Sequence, residues 1–504
     1  MSHTNAKLGV LRTAYALVFL TAAAVLIACG GGSNNSNSGG SAMPSNQEIF
    51  GFIEDITGFG PRRTGTEAGV KTADYVAAKF RSFGLQNVSI QKGDSLQWDA
   101  KAWGLVVNGT EIPSFYMRHS FSSGDEGAFS TGPGGLQAQF VYVGNRKDLR
   151  GIDVQGKIVV ADVELTQSDM DMYMAAAALV HDPEKTISSE PRLDPFTPNN
   201  FPFNFASAME GGAVGFVGIL SNYFDSNKFY NEDLSYYVGR DFHLEIPGLW
   251  VSRQDGEKLK TLLAQNPQAG GRMVLEGDVK KVQYNVVVGH LKGKSPETLM
   301  VQSHHDSGFM GAVEDASGVA EVLALAKYYG QHPESRRERS MMFVTMDTHF
   351  TGYEAHGDFA RNYIRKGGID VVANVTVEHI AREMTIKDGK QVMTGQVEPR
   401  IFITSPSLIG IASQHVKQND FRRSLVLPTA LFAHSAGIPT DVGPIHAALG
   451  FPVISLISAP GYLYDISDTL DKVAKDQLEP TATLVAAMLD TISQTPRDKL
   501  VPDR

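Results

Sequence analysis

Two short segments concentrate the side chains able to do chemistry. Ser303-His304-His305-Asp306-Ser307 closes an apolar run, and Gly311-Ala312-Val313-Glu314-Asp315-Ala316-Ser317-Gly318 follows it with two adjacent acids. Residues two apart on an extended chain share a side, so His304 and Asp306 face one cleft and His305 faces away. An imidazole beside a carboxylate is a common metal-ligand pairing, because the acceptor fixes the tautomer of the ring. The chemistry implied is divalent-cation binding, with Asp315 as an alternative ligand in the same acidic turn. Asp441 and the histidines His356, His379 and His446 are further potential donors, for which core or solvated positions are expected. Nucleophilic catalysis has little support: no Gly-x-Ser-x-Gly sequence occurs, and the one cysteine, Cys29, lies in an N-terminal leader.

The elements that must position these residues alternate along the chain. From residue 282 onward, apolar strands are expected at 284–288, 299–302, 341–346, 371–377, 400–404 and 453–457, with helical patterns between them. The clearest helix covers 317–328, where Val319, Val322, Leu323 and Ala326 share a face. Residues 384–393 read as a hairpin turning at Asp388-Gly389. Strand-helix alternation implies an α/β fold, a three-layer sandwich around a mostly parallel sheet, with ligand groups gathered at the carboxyl ends of the strands. Residues 48–92 begin with a helical pattern, introduced by a Gly/Pro-rich loop at 58–65, and 96–275 have the texture of short strands and turns. Within that region, the proline- and aromatic-rich stretch 181–205 reads either as a lid or as an ordinary long loop.

Taken together, the Gly60-Pro61-Arg62 loop, the His304-x-Asp306-Ser307 strand end, the Ala316-Ser317-Gly318 helix start and the Asp468-Thr469 turn resemble the bacterial leucyl aminopeptidase and glutamate carboxypeptidase family of metallopeptidase clan MH. That resemblance implies a phosphorylase/hydrolase-like α/β domain over 47–95 and 276–504, interrupted by a mainly-β protease-associated domain at 96–275. It also implies a site for two zinc ions and the removal of terminal residues from peptides. Carried over position by position, one zinc site retains His304, Glu314 and Glu378, with glutamates where the family has aspartates. The other loses its ligands: His349-Phe350 stands where the family has a Glu-Glu pair, and Tyr464 where it has a late histidine. The resemblance therefore implies one zinc, with the second absent. In that reading His349 takes the proton in place of the family's base, Tyr464 steadies the oxyanion and Asp306 orients His304. A non-catalytic pseudopeptidase that binds peptide or protein at the cell envelope is the alternative.

Composition sets the remaining bounds. Hydrophobic residues make up 42% and charged residues 20% of the 504, as in soluble globular domains. The formal net charge of -10 and the lack of a long basic run exclude nucleic acid as a partner. Lys7 and Arg12 precede an apolar stretch at 14–28, shorter than the roughly 20 residues of a spanning helix and suited to a signal peptide. Leu26-Ile27-Ala28-Cys29 resembles a bacterial lipobox, so residues 1–28 are expected to be a lipoprotein signal, Cys29 the lipidated residue and 29–46 a flexible tether. The expected location is the bacterial cell envelope, with a lipid anchor in the membrane and peptide as substrate or ligand.

Overall fold

A computed structural model describes residues 42–233, 239, 242–432, 438 and 440–503. The expected signal peptide, the lipidation site Cys29 and most of the tether lie outside the described residues. Among the described residues, no helix is long and apolar enough to cross a membrane.

Two antiparallel strands of 22 residues each, Gln86–Val107 and Gly270–Leu291, run side by side from Gln86 opposite His290 to Val107 opposite Gly271. The expected domain boundaries at 95/96 and 275/276 fall inside these two continuous strands. On one side the second of them pairs with Arg339–Met346, which leads in turn to Ser295–His304, Val371–Val377 and Val453–Ile457. From Arg339–Met346 to Val453–Ile457 neighbouring strands are parallel. Arg400–Thr404 then pairs antiparallel with Val453–Ile457, and Ser424–Pro428, a strand not foreseen from the sequence, lies parallel beside it.

These strands are buried on both faces, and their side chains divide by parity. Val286, Val288, Met300, Met342 and Val344 pack on one face, while Val287, Leu299, Val301, Met341 and Phe343 pack on the other. Strands enclosed on both sides need continuous apolar runs, which is why they were legible as such. Helices Asn46–Thr57, Glu67–Ser82, Gly318–Gly330 and Leu478–Gln494 cover one face. Segments Glu354–Asp358, Phe359–Arg365 and Val442–Leu449 cover the other, completing the three layers. The hairpin Arg382–Lys387/Lys390–Val397 turns at Asp388-Gly389 as expected.

Beyond the paired long strands, Leu136–Tyr142, Ile158–Val163, Gly215–Leu220 and Gly248–Val251 form a second parallel run, capped by Ser114–Tyr116. Gly218 is required there by packing, since a Cβ would come within 2.5 Å of the Trp250 ring.

Helix Gly318–Gly330 carries a buried acid, Glu321, whose two carboxylate oxygens have no hydrogen-bond partner among the described residues. Burial, with the nearby Asp315 carboxylate adding to it, pushes its pKa well above the ordinary 4.5. Above that pH the unfolded chain ionises while the folded one holds its proton, so stability falls as pH rises. Glu321→Met should therefore raise the unfolding free energy by about 1–3 kcal/mol at pH 7. Urea titration should show this gain shrinking as the pH falls from 7 toward about 4.5 and levelling off below it. An unchanged midpoint at pH 7 would contradict the assignment.

Candidate metal centre

The parallel strands end on one edge, and their ends supply most of the site. Ser295–His304 delivers His304, Arg339–Met346 leads to His349, and Val371–Val377 is followed at once by Glu378 and His379. Glu314 comes from the acidic turn before helix Gly318–Gly330.

Two clamps hold that turn. Arg62, fully buried, donates to the backbone oxygens of His305 at 3.1 Å, Met310 at 2.5 Å and Gly311 at 2.8 Å. This explains the Gly60-Pro61-Arg62 loop, whose arginine satisfies carbonyls that no regular element pairs. On the far side the Asp468 carboxylate accepts the N–H groups of Val313 at 2.9 Å and Glu314 at 2.8 Å. Gly318 must lack a side chain, because a Cβ would lie 2.3 Å from both Asp315 Oδ2 and the Val377 carbonyl.

Held this way, Glu314 bridges two rings. Its Oε1 lies 3.2 Å from His304 Nε2 and its Oε2 lies 2.7 Å from His379 Nε2. Single ligand atoms of His304, Glu378 and His379 all fall within 4.8 Å of one another, and the same holds for His304, Glu314 and His349. His304 is common to both groups, whereas Glu314 and Glu378, the other two members of the expected trio, fall in different ones, and His379 stands with Glu378. His379 was expected in a core or solvated position, with a place as a replacement ligand the less favoured reading. A φ of +61° at His379 breaks the alternation of the strand and turns its ring to the same side as Glu378. Its Nδ1 lies 2.8 Å from the Ser458 carbonyl, which leaves Nε2 facing the cluster.

The supporting residues separate into expected and unexpected. Nδ1 of His304 lies 3.1 Å from the Asp306 backbone oxygen and 3.4 Å from Asp306 Oδ1, so Asp306 does orient the ring, chiefly through its carbonyl. His305 faces away, 3.1 Å from Thr345 Oγ1. The alternative ligand Asp315 is engaged otherwise: Oδ1 accepts the N–H groups of Gly318 at 3.0 Å and His379 at 3.1 Å, and Oδ2 accepts from Ser303. His446 lies elsewhere, 3.4 Å from Asp503.

His349 stacks on His304 with ring centroids 4.1 Å apart. Its Nδ1 lies 2.9 Å from Asp441 Oδ1, and His356 backs the same carboxylate at 3.3 Å. Its Nε2 faces Tyr464 Oη at 3.1 Å, Glu232 Oε1 at 3.4 Å and Glu314 Oε1 at 3.8 Å. Burial and the neighbouring His304 ring oppose charge on His349, but the Asp441 and Glu232 carboxylates outweigh them and hold its pKa well above the usual histidine value. Acceptors therefore surround both nitrogens, and the ring is placed to donate protons. The expected role of proton acceptor does not fit this geometry. Glu232, which sequence reasoning did not single out, reaches the site from the irregular segment after Gly215–Leu220 and accepts the Tyr464 hydroxyl proton. Phe196, in the stretch of ambiguous lid or loop character, lies 6.0 Å from the His379 ring in parallel stacking and 5.6 Å edge-on from Tyr464. It covers the site.

Among the described residues, five inward atoms of the cluster make no regular hydrogen bond, namely His304 Nε2, both Glu314 oxygens, Glu378 Oε2 and His379 Nε2, Glu314 being ion-paired to His304 and His379. Buried polar atoms are seldom left so, and here they are nitrogen and carboxylate donors of the kind zinc, iron and manganese take. The residues fit a divalent cation.

Residues 285–489, which hold His304, Glu314, His349, Glu378, His379 and Tyr464, match the model of Peptidase family M28. That segment is a peptidase family M28 domain. No curated protein matches the chain significantly. Among solved structures, an aminopeptidase from Aneurinibacillus sp. strain AM-1 aligns at 17% identity and a TM-score of 0.60, over 92% of this chain and 97% of that one. BSAP, a zinc aminopeptidase from Bacillus subtilis, aligns at 16% and 0.62 over 92% and 99%, and a Peptidase M28 precursor from Shewanella amazonensis SB2B at 18% and 0.65 over 90% and 94%. At these identities the likeness is one of fold.

Protons and a cation compete for the same atoms of the M28 domain. Burial opposes charge on His379, yet Glu314, Asp315 and Glu378 together push its pKa up to about 9. Cation binding near neutral pH must therefore expel a proton, and zinc affinity should rise by about tenfold per pH unit for each proton displaced, levelling off near pH 9. Competition titrations against a chelator of known affinity would reveal this. A pH-independent affinity between 6 and 8.5, about the window in question, would contradict it.

Proposed function

We propose that this protein is an exported metal-dependent exopeptidase of the aminopeptidase type with a single cation, most simply zinc. The observation that carries the reading is the gathering of buried nitrogen and carboxylate ligand atoms around His304, with Glu378 and His379 in one group and Glu314 and His349 in another. His304, Glu314, Glu378 and His379 would hold the ion. A divalent cation bound there supplies Lewis acidity toward the carbonyl oxygen of a peptide.

The chain's own groups do the rest. Glu314 and Glu378 neutralise charge at the centre, and Ser458 and Asp306 fix the two ring tautomers by accepting from Nδ1. His349, with its Nδ1 proton on Asp441, presents an Nε2–H beside the Tyr464 hydroxyl. The Nε2–H suits negative charge developing on a carbonyl oxygen. Because the one proton of the Tyr464 hydroxyl goes to Glu232, His349 rather than Tyr464 fills, in this reading, the oxyanion role expected from the sequence. Phe196 packs against the rings of His379 and Tyr464 at the cluster. One cation is preferred to two because Phe350 offers no ligand atom and the Tyr464 hydroxyl donates to Glu232. Lipidation at Cys29 and residence in the cell envelope belong to the same proposal and rest on the apolar segment 14–28 with its lipobox-like end.

Hydrolysis of a panel of aminoacyl and dipeptide substrates, with zinc measured on the same preparations, tests this reading. One zinc per chain and release of N-terminal residues are expected. His304→Ala should lose activity and weaken zinc binding beyond the roughly 10–100-fold that removing a supporting partner costs. A chain that binds no zinc, iron or manganese after gentle purification would instead be a peptide- or protein-binding pseudopeptidase.

A further inference from the structure

A cavity of about 230 Å³ lies beside the metal centre, between the long strand Gln86–Val107 and the loop that carries His349. Trp98, His119, Thr351, Gly352 and Glu354 form part of its wall, and so does Glu232. Glu232 both lines this cavity and touches His349 and Tyr464. Its Oε1 lies 3.4 Å from His349 Nε2 and accepts from the Tyr464 hydroxyl.

The backbone around Glu232 is built to hold it there. Phe229 bridges to Asp465, and the N–H of Tyr230 donates to the Tyr464 carbonyl at 2.8 Å. Asn231 then locks the segment: Oδ1 accepts from the Arg118 N–H at 3.1 Å and from Trp250 Nε1 at 3.2 Å, while Nδ2 donates to the Arg118 carbonyl at 3.0 Å. A buried carboxylate fixed by three consecutive anchored residues is poorly explained as a solvated loop acid. It lies in the cavity wall and contacts both His349 and Tyr464.

We propose that Glu232 is the general base of this hydrolase: the carboxylate takes a proton from water as the water oxygen bonds to the scissile carbonyl carbon. The carbon–nitrogen bond then breaks, and Glu232 returns that proton to the leaving nitrogen, so that the enzyme ends as it began and one water is consumed. Tyr464 holds the carboxylate in line by donating its hydroxyl proton to it. The function that a Glu-Glu pair would serve at positions 349 and 350 is thereby supplied from a different part of the chain. This inference rests on the hydrolase reading given above.

The test uses the zinc-loaded full chain and a substrate that the wild type cleaves. Glu232→Gln should lower kcat by about 100- to 10,000-fold, the usual worth of a general base, while KM and zinc content stay near wild type. Glu232→Ala should be equally slow and should regain activity on adding formate, a small carboxylate able to enter the vacated space. Retention of kcat within about threefold in Glu232→Gln would overturn the proposal, since a general base contributes far more. Loss of zinc along with activity would overturn it too, by making Glu232 a ligand. A wild type that binds zinc yet cleaves nothing would remove the hydrolase reading itself, and the role of Glu232 with it.

Discussion

Everything at the centre of this fold follows from packing imidazoles and carboxylates together where water is excluded. His304, Glu314, Glu378 and His379 are each at most 1% exposed, and among the described residues their inward atoms make no regular hydrogen bond, Glu314 being ion-paired to His304 and His379. Leaving such groups uncompensated is costly, because desolvation of each charge has to be offset by a partner held in good geometry. Without a cation the rings hold protons against the acids: Glu314, despite its burial, is kept well below its usual pKa by His379 and His304. A divalent ion in place of those protons would meet the same electrostatic demand with fewer particles.

That demand explains how much of the surrounding structure is devoted to holding backbone. Arg62 and Asp468 lie on opposite sides of the acidic turn, one filling carbonyls and the other filling N–H groups, so Glu314 has little freedom to relax away. Asp315, adjacent to it, spends its whole carboxylate on Ser303, Gly318 and His379. It thereby ties the turn to the strand end that carries Glu378. Asp441 links a second pair: it receives Nδ1 of His349, and its own N–H donates to Glu378 Oε1 at 3.2 Å. Movement of either cluster is therefore felt by the other.

Sequence periodicity was enough for the layers, since strands enclosed by helices must read as apolar runs. It also placed His304 correctly, because an extended chain alternates and His305 had to face away. It did not reveal His379, since alternation assigns adjacent residues to opposite sides and only the left-handed backbone at that position brings the ring inward. Glu232 was illegible for a different reason: it lies on irregular chain, and its partner Tyr464 is 232 positions away. The proton-accepting role expected for His349 was a statement about residue type. What a histidine does depends on which atoms face its two nitrogens, and a linear pattern does not contain them. The boundaries expected at 95/96 and 275/276 were placed where the texture changes, and each long strand continues through that point.

The most direct test of a cation bound among these buried donors is an anomalous difference map from zinc-soaked crystals, recorded at the zinc edge. One peak is expected within bonding distance of His304 Nε2 and His379 Nε2, with carboxylate oxygens of Glu314 or Glu378 completing the set. A map with no peak among these residues, or with the ion held by His349 and Tyr464 instead, would contradict it.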